Sequence, residues 1–310
     1  MSVGHACDLC GRQQFEPLSS IDRHGEPLQT VVCAACGLVS HAEIPTDREL
    51  ENYYLQAYRQ QYHGEFTPSA YRVVREWKRG QRLLAQLRPD VQPGERVFEV
   101  GAGIGCTVMN FALAGFDASG IEPHDGFRQF SVEKLHARIT AGFLDQLPAR
   151  PQYDLVLLVH VLEHFPSPAT ALRKIRDLLR VAGRVYVEVP NFACPHAAPG
   201  KQFHYAHIHN FTPATLRMTA AKAGLVVKRA LTAPFAKNIG LLVEASDEAE
   251  LRIEPQSYAQ TMAAVRRYST LTYHLRPSYL RDRAEIFLGH CADRWRMKQK
   301  LAKILQLCDE

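Results

Sequence analysis

The 310-residue chain contains no run of 18 consecutive apolar residues, so no membrane-spanning helix and no membrane insertion are expected. Its first residues, Met1-Ser-Val-Gly-His-Ala-Cys7, show no basic region leading into an apolar one. A secretory leader is therefore not expected, and the cytoplasm is the expected location. There is no internal repeat and no low-complexity tract. Charge excess is also scarce: 37 Lys and Arg against 32 Asp and Glu leave a net charge of +5. Ten Lys/Arg and five Asp/Glu lie between Tyr258 and Glu310, so the C-terminal stretch accounts for the whole excess. No nucleic-acid partner is expected from so weak and so local a bias. The rest is ordinary for a globular protein with one large domain and additions, at 46% hydrophobic and 22% charged residues.

The most informative stretch runs from Arg96 to Glu122. Val97 to Val100 is a short apolar run broken by Glu99, as suits a strand buried on both faces. Gly101, Gly103 and Gly105 follow at a spacing of two, where the backbone can take unusual angles and a ligand can lie against it. Thr107 to Ala114 is compatible with a helix whose N-terminus faces that loop. Phe116 to Ile121 reads as a second strand ending on Glu122, where a carboxylate can accept from the two hydroxyls of a ribose. A glycine-rich turn with a downstream acid is the nucleotide-binding logic of a doubly wound sheet. A dinucleotide site wants G-x-G-x-x-G, and here the third glycine comes one residue early.

The pattern E-x-G-x-G-x-G, with its acid at Glu99, resembles motif I of class I S-adenosylmethionine (SAM) methyltransferases. The resemblance implies SAM as cofactor, with Glu99 near its ammonium, Gly101, Gly103 and Gly105 along its backbone-facing side and Glu122 at its ribose. It also implies a Rossmann-like α/β fold with a seven-stranded sheet. Gly142-Phe-Leu-Asp145 follows the position of the third strand, and in those enzymes an acid there reaches the adenine amino group. Asp145 and Leu144 stand in those places. The alternative for Asp145 is a helix cap or turn. Tyr153 to Val159 is an apolar run fit for a central parallel strand. It leads into His160-Val-Leu-Glu-His164, similar to the V-L-E-H segment of many small-molecule methyltransferases. His160 is expected to face the cofactor. Glu163 and His164 either take part in catalysis or anchor and cap the next helix.

Four of the eight cysteines form two pairs, Cys7-Asp-Leu-Cys10-Gly11 and Cys33-Ala-Ala-Cys36-Gly37, separated by 22 residues. Two such knuckles can set four thiolates tetrahedrally around Zn²⁺. Each following glycine permits the tight turn. Disulfide and redox readings compete, but the matched pairs favour a closed structural zinc site in a zinc-ribbon-like module. The expected segments are 1–46 for this module and 47–92 for a helical linker or lid carrying Tyr54, Tyr58 and Tyr62. Residues 93–250 form the SAM-binding domain, and 251–310 a helical extension.

Histidines concentrate between Lys201 and Pro213, in His204-Tyr205-Ala206-His207-Ile208-His209. If that piece is extended, Tyr205, His207 and His209 share one face. Imidazole is well tuned to take a proton near neutral pH. A metal reading of these histidines is disfavoured for want of nearby carboxylates. The plainer alternative is that one of them caps a helix or satisfies a buried carbonyl.

A two-knuckle module joined to a class I methyltransferase resembles the sugar C-methyltransferases acting on nucleotide-linked keto-deoxysugars. Those enzymes carry Tyr-His-Glu-His before Phe-Ser or Phe-Thr. Here the same place reads His204-Tyr205-Ala206-His207 before Phe211-Thr212, so only the last histidine is kept. The family's residues serve deprotonation beside a ketone, and the departures leave O-methylation equally consistent. The resemblance implies a small polar acceptor, a sugar or glycan intermediate, with His207 as leading base and His204 and His164 next. The helical extension also departs from that family's second α/β domain, and could pack on the body or pair two copies into a homodimer. A rival reading is a scaffold protein that uses the zinc module to recruit a partner. A nucleic-acid methyltransferase lacks support, because no D/N-P-P-Y/F segment follows the fourth strand.

Overall fold

The computed structural model describes residues 3–53, 67–194, 197–231, 236–277, 279–280 and 294–309. The expected tyrosine stripe Tyr54, Tyr58 and Tyr62 lies outside the described residues. In chain order, β1 (Phe15–Ile21), β2 (Pro27–Cys33) and β3 (Val39–His41) come first. After the short α1 (Asp47–Asn52) comes the long α2 (Ala70–Leu87). Then follow β4 (Arg96–Val100), α3 (Cys106–Leu113), β5 (Asp117–Ile121), α4 (Asp125–Leu135), β6 (Ile139–Thr140) and β7 (Tyr153–Val159). α5 (Pro168–Asp177), β8 (Leu179–Pro190), β9 (His209–Asn210), α6 (Pro213–Lys222), β10 (Leu225–Ala230) and β11 (Asn238–Ala245) complete the sheets. The extension supplies α7 (Ser257–Arg266), α8 (Thr270–His274) and α9 (Arg294–Asp309).

Seven strands form one sheet in the order β10-β11-β8-β7-β4-β5-β6. β4 pairs in parallel with β5 and with β7, and β5 with β6. β11 runs antiparallel to both β8 and β10. Leu155 to Leu158 of β7 are all fully buried, as a strand covered on both faces requires. β8 is the longest strand among the described residues and carries an irregularity at Ala182, whose φ is +62°.

The chain divides into two compact units, Met1–Asp47 with Val159–Asp177 and Arg184–Leu280, and Arg48–Leu158 with Leu178–Gly183 and Arg281–Glu310. In the second, α2 buries Val73, Val74, Trp77, Leu83 and Leu87 along one face. Gly80 lets it approach α3, since a Cβ there would come within 2.9 Å of Asn110 Nδ2. That amide donates to the carbonyls of Trp77 and Cys106. α9 packs on α2 and α4.

The first unit holds the cysteine knuckles, and they are not an appendage. A second sheet, β1-β2-β3-β9, is closed by a strand from the histidine-rich segment, with Val39 opposite Asn210 and Ser40 opposite His209. α7 seats on the second knuckle: Ser257 Oγ donates to the Cys36 carbonyl and Thr261 Oγ1 to that of Gly37. A Cβ at Gly37 would lie 2.8 Å from the Ser257 carbonyl oxygen, and its φ is +76°, so only glycine fits. Tyr258, Met262 and Val265 cover a cluster of Val32, Val39, Phe192 and Phe203. The extension is thus divided: α7 and α8 belong to the first unit and α9 to the second. Leu271, Leu275 and Leu280 remain exposed. Among the described residues, no helix is long and apolar enough to cross a membrane.

Candidate active site

In the second unit the loop after β4 follows the sequence reading. Gly101, Gly103 and Gly105 take φ of +69°, +55° and +78°. They serve different ends. A Cβ on Gly105 would fall 2.0 Å from Ser131 Oγ, so this glycine lets α4 close on the loop. A Cβ on Gly103 would meet nothing within 4 Å, so its backbone borders open space that a ligand can use.

Glu99 is 4% exposed at the end of β4, and its Oε2 accepts no hydrogen bond. Burial pushes its carboxyl up to about 8, against the opposing pull of Arg79 and Thr107. Nearby Glu76 is also raised by burial, but Arg79 and Arg75 outweigh that and leave it below the usual range. Glu122 is buried directly after β5. Its carboxylate accepts from Gly103 N at 2.8 Å and His124 N at 3.1 Å, tying the glycine loop to the next turn. Leu144 is buried and Asp145 exposed, both in a single short turn, Leu144–Gln146. These residues fit the amino-acid and ribose ends of SAM: a buried acid with an unused oxygen, a bare glycine backbone and a second acid beyond the next strand.

The histidines lie in the first unit. The segment from Lys201 is not extended. A turn in which His207 N donates to the His204 carbonyl at 3.0 Å brings those two side chains together, their ring centroids 3.8 Å apart. His164 stands edge-on to His207 at 5.0 Å. His209, expected beside His207 on an extended face, instead donates from Nε2 to the Pro166 carbonyl at 3.1 Å, the plainer role. His164 and His209 are both held below the usual imidazole range, chiefly by burial. Both are therefore neutral near pH 7.

Beside these rings lies Glu163, for which the sequence leaves catalysis and helix anchoring both open. Its side chain is 1% exposed, and neither carboxylate oxygen accepts a hydrogen bond. Its Oε1 is 3.5 Å from His160 Nδ1 and 3.8 Å from both His164 Nε2 and His207 Nε2. The carboxylate missing from the sequence neighbourhood of the histidines is therefore supplied by a different segment. His160 sits at φ +57°, a strained left-handed angle for a residue with a Cβ. Its Nε2 is 3.2 Å from Glu188 Oε1, and that carboxylate also accepts from Tyr186 Oη at 2.6 Å and Asn238 Nδ2 at 2.9 Å. Glu188 was not singled out from the sequence. Its signal was an acid inside an otherwise apolar strand, the same signal that marked Glu99.

The four knuckle cysteines converge. Cys7 and Cys36 sulfurs are 3.5 Å apart, Cys10 and Cys33 3.4 Å, and all four lie within 4.8 Å of one another. These separations are far longer than the roughly 2.05 Å of a disulfide. Mutual contacts split the thiols, Cys33 far below the usual range and Cys7 and Cys36 above it, so sulfurs this close do not all ionise without a positive charge among them. The donor set and its closeness fit a tetrahedral metal ion. Between the knuckle cysteines, Asp8 caps α5: its carboxylate accepts from Ser167 Oγ and from Ala169 N at 3.0 Å. Lys222 Nζ donates to the Asp8 carbonyl.

A family model described as a methyltransferase domain matches residues 69–230, just over half of the chain. The chain belongs to the methyltransferase-domain family. Among curated proteins, this methyltransferase-domain chain is 34% identical to the ubiquinone biosynthesis O-methyltransferase of Aeromonas salmonicida over 109 residues, 32% of this chain and 44% of that one. It is 32% identical to the same-named protein of Marinobacter nauticus over 110 residues, covering 32% and 45%. The chain spans less than half the length of these curated relatives. A solved structure of magnesium protoporphyrin IX methyltransferase from Synechocystis, with bound SAH, aligns at a TM-score of 0.49 and 18% identity, covering 65% of this chain and 100% of that one.

Proposed function

We propose that this chain transfers a methyl group from SAM to a small polar acceptor, and that histidines of the Glu163 cluster take the acceptor's proton. The observation that carries the cofactor half is Glu99, a buried carboxylate with an unused oxygen beside a glycine loop open to a ligand. Its charge would meet the ammonium of SAM. Glu122 would meet the ribose, Leu144 and Asp145 the adenine, and His160 would face the cofactor. SAM supplies a methyl on a sulfonium, already a good leaving group, so the protein's task is mainly positioning. A hydroxyl acceptor gives its proton to His207, with His204 and His164 as alternatives. That would leave the acceptor's oxygen free to receive the methyl that SAM supplies when bound.

Oxygen is favoured as the accepting atom by relatives named for O-methyl transfer. A sugar or glycan intermediate is favoured as acceptor by the two knuckles and the retained His207. The four cysteines hold zinc in a closed structural site. Exposed Leu271, Leu275 and Leu280 would support pairing of two copies, which light scattering would report.

The test is calorimetry with SAM, followed by turnover on nucleotide-linked sugars. His207→Ala should lower turnover by about 10²–10³-fold and leave SAM affinity within a few-fold. Equal loss of both would remove His207 from the base role. No SAM uptake at millimolar concentration would instead favour a scaffold.

A further inference from the structure

We propose that Glu163, His164 and His207 form a second metal site, binding one divalent transition-metal ion separately from the four cysteines. The argument begins with Glu163. A carboxylate this buried, with no hydrogen bond to either oxygen, is costly unless something else meets its charge. His164 and His207 nitrogens are both 3.8 Å from Oε1, too long for hydrogen bonds. Donors sharing one ion at about 2.0–2.2 Å stand roughly 3–3.4 Å apart. A shift of a few tenths of an ångström would therefore bring Oε1 to ion-sharing distance from each imidazole. The three donor atoms already lie within 4.8 Å of one another.

Two imidazoles and one carboxylate suit Zn²⁺, Fe²⁺, Co²⁺ or Ni²⁺, whereas Mg²⁺ and Ca²⁺ prefer oxygen alone. The surroundings hold the donors in place. His204 lies against His207, and His160, fixed by Glu188, stands 3.5 Å from Glu163 Oε1 as a brace or fourth donor. The pieces come from two distant segments, 160–164 and 204–207, and β9 anchors the second of them to the knuckle sheet. Three protein donors leave coordination positions open. An acceptor with two neighbouring oxygens, a diol or hydroxyketone, would fill them. That consequence rests on the methyl-transfer reading, with His204 left as the base because His164 and His207 then give their lone pairs to the ion; ion binding does not.

The experiment uses the full-length, zinc-loaded protein, freed of weakly held metal by a mild chelator and then titrated with Co²⁺. The expected result is one equivalent bound, with weak visible bands and without the intense near-ultraviolet absorption of cobalt–thiolate bonds. Glu163→Gln and His207→Ala should each weaken uptake by at least about a hundredfold, since lost ligands cost no less than lost outer-shell partners. Unchanged zinc content and melting temperature would show that the variants fold, and the near-isosteric Glu163→Gln covers the case where His207→Ala does not. No cobalt uptake beyond the cysteines, or uptake by both folded variants as in the wild type, would overturn the site. SAM calorimetry on the same samples separates the readings. Cobalt uptake without SAM binding sustains the metal site and removes the methyl-transfer reading. SAM binding without cobalt uptake does the reverse.

Discussion

The glycine loop and the histidine cluster differ in how they are made. Glu99, the three glycines and Glu122 come from one continuous stretch, and strand, loop, helix and strand deliver them in order. Glu163, His164, His204 and His207 come from two segments that meet only because other parts of the chain hold them. β9 joins the knuckle sheet, Asp8 caps the helix after His164, and α7 seats on Gly37. A site built locally depends on local rules. One built by long-range stitching depends on every stitch, and here the cysteines hold the first.

The largest expected effect follows from that dependence. Cys33→Ser, or removal of zinc by a strong chelator, takes away a centre whose binding energy in small domains is of order 10 kcal/mol. Turnover should fall below about 1% of wild type, and proteolysis should open the chain near the knuckles and β9. SAM affinity should stay within about threefold, which calorimetry reads. Parallel loss of SAM binding would erase the contrast between the two regions.

The two regions should also answer acid in opposite directions. His41 is held down to about 4, first by burial and then by His209. In the unfolded chain it binds its proton near 6.5, so this part of the stability is whole above that pH. It is lost as pH falls toward 4, to a total of about 3 kcal/mol from His41 alone. His164 and His209 push the same way. Glu99, raised to about 8, has the reverse sign: its folded form keeps a proton the unfolded form has lost, so stability falls as pH rises from about 4.5 through 8. Melting temperatures from pH 4 to 8.5 should show a low-pH slope that flattens in His41→Asn and a high-pH slope that flattens in Glu99→Gln. An unchanged profile in either variant would mean the group is not buried as described.

Glu99→Gln should further weaken SAM by roughly 10–100-fold, the loss of one charged hydrogen bond, about 1.5–3 kcal/mol. Because the carboxyl is protonated below about 8, wild-type binding should release a proton at pH 7. Calorimetry in two buffers of different ionisation enthalpy measures that release, and its persistence in Glu99→Gln would take Glu99 out of the cofactor site.

What could be read in the sequence follows the same division. The glycine spacing, the strand acids and the paired cysteines are local patterns, and the structure keeps them where the sequence puts them. The sequence disfavours a metal reading of the histidines because no carboxylate is near them along the chain, whereas in space Glu163 Oε1 lies 3.8 Å from His207 Nε2. His209 was grouped with His207 on the premise of an extended segment, and the turn at His204 separates them. β9 is only two residues long and has no pattern of its own. Its pairing with β3 is decided by the whole fold.

The smallest effect tests the stitch most directly. Asp8 sits between two knuckle cysteines but points away from them, to the first turn of α5. There it satisfies Ala169 N, a donor that the helix cannot pair internally and whose residue is fully buried. Asp8→Ala should cost about 1–2 kcal/mol, the usual loss of a cap, without releasing zinc. If Asp8 serves only the knuckle, zinc would leave and turnover would fall with it. If it positions the segment bearing Glu163 and His164, zinc stays, SAM affinity holds and turnover alone drops, by about tenfold. Asp8→Asn, which keeps an acceptor for Ala169 N, should restore most of that turnover. Failure of that rescue with zinc still bound would mean that the cap does not reach the histidines.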